Sequence, residues 1–238
     1  MKVLLLNGSA RKEKGVTGRL LKSLVKGLYD GGAETREVQV QDLKISPCTA
    51  CLHCLHKKSG DCVLDDDMNS IYQELKACDV LILATPVYFD GMSGVLKMVM
   101  DRCVCCMEPF LIRDRDGRVR HPHAWRMPRQ CMLISTAGFP EIETFDPLVM
   151  TFRAQAANLG SEIIGEICIP GSIALQVAPD RLSHHLQFIE EAGEIIASGR
   201  PIPAELLGKL NTPPIDVDEY LALSAKYESW CRKQLKLP

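Results

Sequence analysis

Lys2 to Asn7 is a nearly continuous apolar run that meets Gly8-Ser9 at once, the pattern of a strand buried on both faces. From about Thr17, the residues Leu20, Leu21, Leu24, Val25 and Leu28 recur at helical spacing. Thr17 is the predicted N-cap and Gly31-Gly32 the stop. Thr35 to Val40 alternates as a second strand. Pro47 to Asp65 has no clear period and reads as a loop. Asp65, Asp66 and Asp67 precede a short helix carrying Ile71, Tyr72 and Leu75, where they are expected to cap and to favour the helix dipole. Asp79 to Thr85 is a third strand, followed by a helix from about Ser93 to Cys106 with Val95, Val99 and Cys103 on one face. Cys131 to Thr136 is a fourth strand. A helix from about Asp146 to Leu159 and a strand from Glu162 to Ile169 complete the series.

Five such alternations predict an α/β fold with a doubly wound, five-stranded parallel sheet. Two Pro-punctuated helices follow, near Asp180 to Ser198 and Asp216 to Leu235. They read as a helical C-terminal extension that packs on the sheet or on a neighbouring subunit. No linker is long or polar enough to divide the chain, so residues 1–238 form one predicted domain, with a core to about 170 and the extension from about 171. One segment breaks the alternation. Leu111 to His121 carries Asp116-Gly117 between short alternating stretches, a hairpin signal. Its arginines, Arg113, Arg115, Arg118 and Arg120, with Arg126 and Arg129 beyond, suit a solvated face, an oligomer contact, or a dock for an acidic electron carrier or a dinucleotide phosphate.

Composition changes the picture in two places. The net charge of −2 supplies no basic field, so neither nucleic acid nor an anionic membrane is an expected partner. The N-terminal apolar run is too short for a signal peptide or a membrane span, so the cytoplasm is the expected location. Eleven cysteines are many for 238 residues. In a reducing compartment, a tight group of them points to metal or redox chemistry.

The loop after the first strand, Asn7 to Gly18, supplies hydroxyls at Ser9 and Thr17, a guanidinium at Arg11 and free N–H groups at a helix start. These are the parts that hold an FMN monophosphate. The loop lacks the G-x-G-x-x-G of a dinucleotide site and the Gly-Lys-Ser/Thr of a Walker loop. The second motif is Cys48-x2-Cys51-x2-Cys54-x7-Cys62. Four thiolates at this spacing suit a [4Fe-4S] cube, whose irons each take one ligand. Zinc, with His53 or His56 as further ligands, and unoccupied thiols are the other readings. The remaining cysteines lack a ligand spacing. Cys78, Cys131 and Cys168 read as buried small hydrophobes, Cys103, Cys105 and Cys106 lie at a helix end, and Cys231 packs beside Trp230.

Gly8 to Lys12, the helix start Thr17 to Leu21, Pro86-Val87-Tyr88, Ser93 to Lys97 and Asp101-Arg102 together resemble the NADPH-dependent FMN reductase superfamily, which is flavodoxin-like in fold. The resemblance covers roughly residues 1 to 140. It implies that Ser9, Arg11 and Thr17 hold the FMN phosphate, and that Pro86, Val87, Tyr88, Phe89, Asp90 and Gly91, with Thr136, Ala137, Gly138 and Phe139, frame the isoalloxazine. The superfamily often has Asn where this chain has Val16, so one hydrogen bond there must come from elsewhere, for example a backbone N–H. The iron-sulfur flavoprotein branch is similar in its compact cysteine motif after the second strand. Cys48, Cys51, Cys54 and Cys62 match its ligand positions one by one.

The first expectation is an oxidoreductase that passes electrons between a [4Fe-4S] cluster and FMN, served by a one-electron donor such as ferredoxin, since a hydride donor could reduce FMN without a cluster; the resemblance implies a homodimer or homotetramer. An NAD(P)H-dependent reductase of FMN, quinones or nitro compounds, with structural or empty cysteines, is the second expectation. A thiol-based redox or metal sensor is the third.

Overall fold

The computed structural model describes residues 1–114 and 116–236. The elements run β1 (Lys2–Asn7), α1 (Val16–Asp30), β2 (Glu34–Gln39), α2 (His53–His56), α3 (Met68–Ala77), β3 (Val80–Pro86), α4 (Gly94–Arg102), β4 (Ile112–Arg113) and β5 (Val119–Arg120). They continue with β6 (Gln130–Thr136), α5 (Asp146–Leu159), β7 (Glu162–Ile169), α6 (Ala174–Val177), α7 (Ser183–Ala197), α8 (Ala204–Leu210) and α9 (Val217–Leu235). Five strands form one parallel sheet in the order β2-β1-β3-β6-β7, the flavodoxin-like winding. Because side chains alternate across a strand, the sheet feeds two cores. Leu5, Ile82 and Ile134 pack under α1 and α7, while Leu6, Leu83 and Leu133 pack under α3, α4 and α5.

The C-terminal helices divide between two roles. α7 lies against α1 and shares its core, so it serves as a layer of the sheet domain. The two helices approach so closely at Gly27 that a Cβ there would lie 1.9 Å from the Glu190 carbonyl oxygen. α8 packs on β7 and α7, and α9 rests on α6. Short elements such as α6 and α8 carry too few periods to be seen in the apolar pattern. For the same reason α2 interrupts the predicted loop.

Several local expectations are corrected. Thr17 does not cap α1: Gly15 occupies the N-cap, and Thr17 is buried inside the first turn. α4, expected to run from Ser93 to Cys106, stops at Arg102 and tightens into a 3-10 turn over Cys103–Cys106. Asp67 sits at the N-cap of α3 without a side-chain capping bond. Asp66 accepts from the Met68 N–H at 3.1 Å but is turned mainly toward a buried arginine. The hairpin forms as expected, with Ile112 opposite Arg120 and Arg113 opposite Val119. Arg115 lies outside the described residues. Among the described residues no helix is long and apolar enough to cross a membrane.

Candidate functional site

The loops after β1, β3, β6 and β7 wall a cleft of about 250 Å3 at the carboxyl edge of the sheet. It lies at the β1/β3 junction, where the strand order reverses and open sheets leave a crevice. Ser9, Arg11, Val16 and Thr17 line it from the first loop, Pro86, Val87 and Tyr88 from the second, and Thr136 and Gly138 from the third. Gly15 caps α1 without a side-chain bond, so the first N–H groups of the helix stay available to an anion. A Cβ on Gly18 would lie 2.1 Å from the Lys12 carbonyl oxygen, and the loop folds back on the helix only because that atom is missing.

The cleft is internally braced. The Thr17 and Thr136 hydroxyls share a buried hydrogen bond of 2.8 Å, which joins the phosphate-type loop to the third loop. The Thr85 hydroxyl accepts from the Ser93 N–H at 2.9 Å, and Ser135 donates to the Thr85 carbonyl at 2.8 Å. Phe89, Asp90, Gly91, Ala137 and Phe139 do not line the cleft. Phe89 and Asp90 form the tip of a two-residue turn closed by backbone hydrogen bonds between Tyr88 and Gly91 of 2.9 and 3.2 Å. Both have left-handed φ, 49° and 64°, a conformation that costs non-glycine residues roughly 1–2 kcal/mol each. Phe89 stands wholly in solvent there, Phe139 is exposed and Ala137 is buried.

Sequence reasoning missed the fourth wall, Ser172, Ile173 and Gln176, which follows β7. Gln176 accepts a hydrogen bond from Arg11. The available signal was Gly171-Ser172 at the carboxyl end of the last strand, in line with the other three loops.

A second cavity, of about 340 Å3, holds all four cysteines of the motif. Cys48 and Cys51 are exposed, Cys62 half-buried and Cys54 buried. The loop curls around the cavity because Ala50 and Leu52, between successive cysteines, have left-handed φ of 52° and 56°. No three of the four sulfurs lie within 4.8 Å of one another. A tetrahedral zinc site, with bonds of about 2.3 Å, needs its thiolates roughly 3.8 Å apart. His53 and His56 are not among the lining residues.

The opposite wall is the end of α4: Asp101, Arg102, Val104 and Cys105. Arg102 is 1% exposed and pairs with Asp66 at 2.9 Å. It also donates to the Ser46 carbonyl at 2.9 Å and to the Cys62 sulfur at 3.3 Å. Its Nε has no partner among the described residues. Burial opposes the Arg102 charge, but the hydrogen bonds and charge of Asp66 outweigh it and hold the guanidinium charged. Burial would likewise raise Asp66; hydrogen bonds from Arg102, Ser46 and Met68 reverse this and hold it below its usual range. The His53 N–H, with Thr49, lowers the Cys51 thiol, whereas burial raises Cys54 and pushes Cys105 up to about 12. Arg102 and Cys105 were missed as wall residues. The signal for Arg102 was a cation beside the apolar stripe of its helix.

The hairpin arginines have partners close at hand. Arg118 lies 4.0 Å from Asp116, Arg120 lies 3.7 Å from Asp114, and Arg113 donates to the Gly117 carbonyl at 3.0 Å. Arg126 is held by Asp79 at 2.5 Å.

Comparison with known proteins places these two sites in context. The model of the NADPH-dependent FMN reductase family matches residues 1–139. An iron-sulfur flavoprotein of Methanocaldococcus jannaschii is 37% identical over 117 residues, 49% of this chain and 59% of the relative. The chain spans about half to three fifths of the length of the first such relatives. A Bacillus subtilis protein named as an NAD(P)H-dependent FMN-containing oxidoreductase is 33% identical over 180 residues, 73% of this chain and 89% of the relative. In fold, the structure is similar to an FMN-dependent NADH-azoreductase of Bacillus anthracis, with a TM-score of 0.61 at 15% identity, covering 83% of this chain and 100% of that one.

Proposed function

The chain belongs to the NADPH-dependent FMN reductase family, within its iron-sulfur flavoprotein branch, and from that premise we propose that it is an oxidoreductase passing electrons between a [4Fe-4S] cluster and FMN. One observation carries the reading. The cysteine cavity takes the C-terminal end of α4 as a wall, through Asp101 and Arg102, and Ser93, just before α4, donates its N–H to Thr85, the neighbour of the cleft residue Pro86.

The cleft residues fit FMN. Its phosphate suits the uncapped start of α1, Ser9 and Arg11, and its ring suits the apolar side at Pro86, Val87 and Tyr88. Val16 offers its backbone N–H in that first turn, where the superfamily often has Asn. Thr17 acts through Thr136, holding two loops at a fixed spacing. Phe89, Asp90, Gly91, Ala137 and Phe139 act as the surround of the ring. The cysteine cavity suits a cube: four thiols at this spacing line one space. Cys48, Cys51, Cys54 and Cys62 are the ligands. FMN supplies one- and two-electron chemistry, and the cluster one-electron chemistry.

A low-potential carrier such as ferredoxin is the donor. An acidic carrier docks on Arg113, Arg118 and Arg120, since the hairpin base touches the cysteine loop through Ser59 and Glu108 at 2.8 Å. The exposed aromatic residues Tyr88, Phe89 and Phe139 beside the cleft support a homodimer or homotetramer.

A second reading is favoured by the long match to the Bacillus subtilis relative: an NAD(P)H-dependent reductase whose cysteines are not part of the electron path. Anaerobic stopped-flow reduction separates the two. Ferredoxin should reduce the flavin much faster than NADPH, and Cys54→Ala should abolish iron binding and that advantage while leaving FMN bound. Rapid reduction by NADPH, undiminished in Cys54→Ala, would hand the case to the second reading.

A further inference from the structure

We propose that Arg102 and Asp66 form a buried charge pair that sets the reduction potential of the cysteine site in opposite directions, with Arg102 raising it and Asp66 lowering it. The inference rests on the proposed occupation of that site by an iron-sulfur cluster.

The geometry is unusual for an ion pair of an ordinary helix end. Arg102 is the last residue of α4, yet it is 1% exposed. Its guanidinium reaches three parts of the cysteine loop at once. It takes the Ser46 carbonyl ahead of Cys48, the Cys62 sulfur, and the Asp66 carboxylate beyond Cys62. A planar fork suits this task, because it carries five donors in a fixed arrangement. Asp66 is 11% exposed in its side chain and is itself held by the Ser46 and Met68 N–H groups. Neither charge is free to turn toward water.

The pair is polarised relative to the sulfur. The positive member donates directly to Cys62, and the negative member is bound on the guanidinium. The step concerned is the addition of one electron from a low-potential one-electron donor, with no bond made or broken at either residue. That electron makes the site more negative. An N–H donor on a ligand sulfur stabilises the electron-rich state and raises the potential. A carboxylate nearby opposes it. Buried charges are screened little by salt, so both influences persist at physiological ionic strength. Arg102 is therefore a positioning and tuning residue, acting through Cys62.

The test is an anaerobic redox titration of the reconstituted holoprotein, followed by the electron paramagnetic resonance signal of the reduced cluster. Wild type, Arg102→Lys, Arg102→Met and Asp66→Asn are compared at equal iron and sulfide content. Arg102→Met should shift the midpoint downward, because the donor is lost and Asp66 is left unopposed. Arg102→Lys should shift it downward by less, a partial rescue by a retained cation. Asp66→Asn should shift it upward. A role confined to holding the loop would lower cluster content in all of them without moving the midpoints apart in sign. Shifts in one common direction, or none, overturn the inference even if wild type carries a full cluster. If Arg102→Met does not fold, the opposed signs of Arg102→Lys and Asp66→Asn decide. A wild-type protein that takes up no iron and sulfide overturns the underlying reading, and the tuning role with it.

Discussion

The cleft at the sheet edge and the cysteine cavity are held in shape by different means. The cleft inherits its geometry from the fold. Its walls are the ends of the four strands β1, β3, β6 and β7, and its braces, Thr17 to Thr136 and Ser93 to Thr85, are short hydrogen bonds between neighbouring loops. The cavity has a loop for one wall, with two non-glycine residues in left-handed conformation and two of its four thiols in solvent. A buried cation, Arg102, ties that loop at Ser46, Cys62 and Asp66. A site made by strand ends is preorganised whether or not it is filled. A site made by a loop leans on such a buried pair more than a site made by strand ends does.

This contrast can be broken most directly at Arg102. Removing one partner of a buried pair leaves the other charge uncompensated, at a cost of about 3–5 kcal/mol. Arg102→Met should therefore lower the urea-unfolding free energy by that amount at neutral pH. A loss under about 1 kcal/mol, the range of exposed pairs, would mean that the cavity wall is not held as described. The next effect belongs to the cleft. Arg11→Ala should weaken FMN by about ten- to a hundredfold, since a charge-assisted hydrogen bond contributes roughly 1.5–3 kcal/mol. Folding should be untouched, because Arg11 is exposed and its side chain bonds Gln176 at the rim. An unchanged dissociation constant by fluorescence titration would remove Arg11 from the phosphate site.

The smallest effect is a pH dependence confined to the cavity. Asp66 is held below its ordinary value of 3.8 in the folded protein. A depressed carboxyl contributes stability that is present above its unfolded value and lost as the pH falls through the folded one. The gap in stability between wild type and Asp66→Asn should be full at neutral pH and should close as the pH drops below about 3.8. Urea midpoints of both proteins at several pH values would check this, and a gap independent of pH would detach Asp66 from the charge balance.

Much of the cleft was legible in the chain. Apolar runs ending in Gly8-Ser9, Pro86-Val87 and Ala137-Gly138 mark strand ends, and parallel strands bring their carboxyl ends to one edge. The cysteine spacing likewise identified the residues that line the cavity. Thr17 shows the limit of such reading. Its residue type suits a cap, but Gly15 takes that position and Thr17 is drawn inward to Thr136, 119 residues away. Asp66 was legible as part of an acidic run before a helix. Its partner, 36 residues further on, was not.

The sequence by itself determined the order of the five sheet strands and the longer helices, the loop that opens α1 and the four thiols within one short segment. These follow from local periodicity and from spacing along the backbone. Only the tertiary structure decided that Gln176 closes the cleft and that Arg102 and Cys105 complete the cavity. Each of those contacts joins segments far apart in the chain, and a polar group buried at such a junction finds its partner through packing, which leaves no periodic trace.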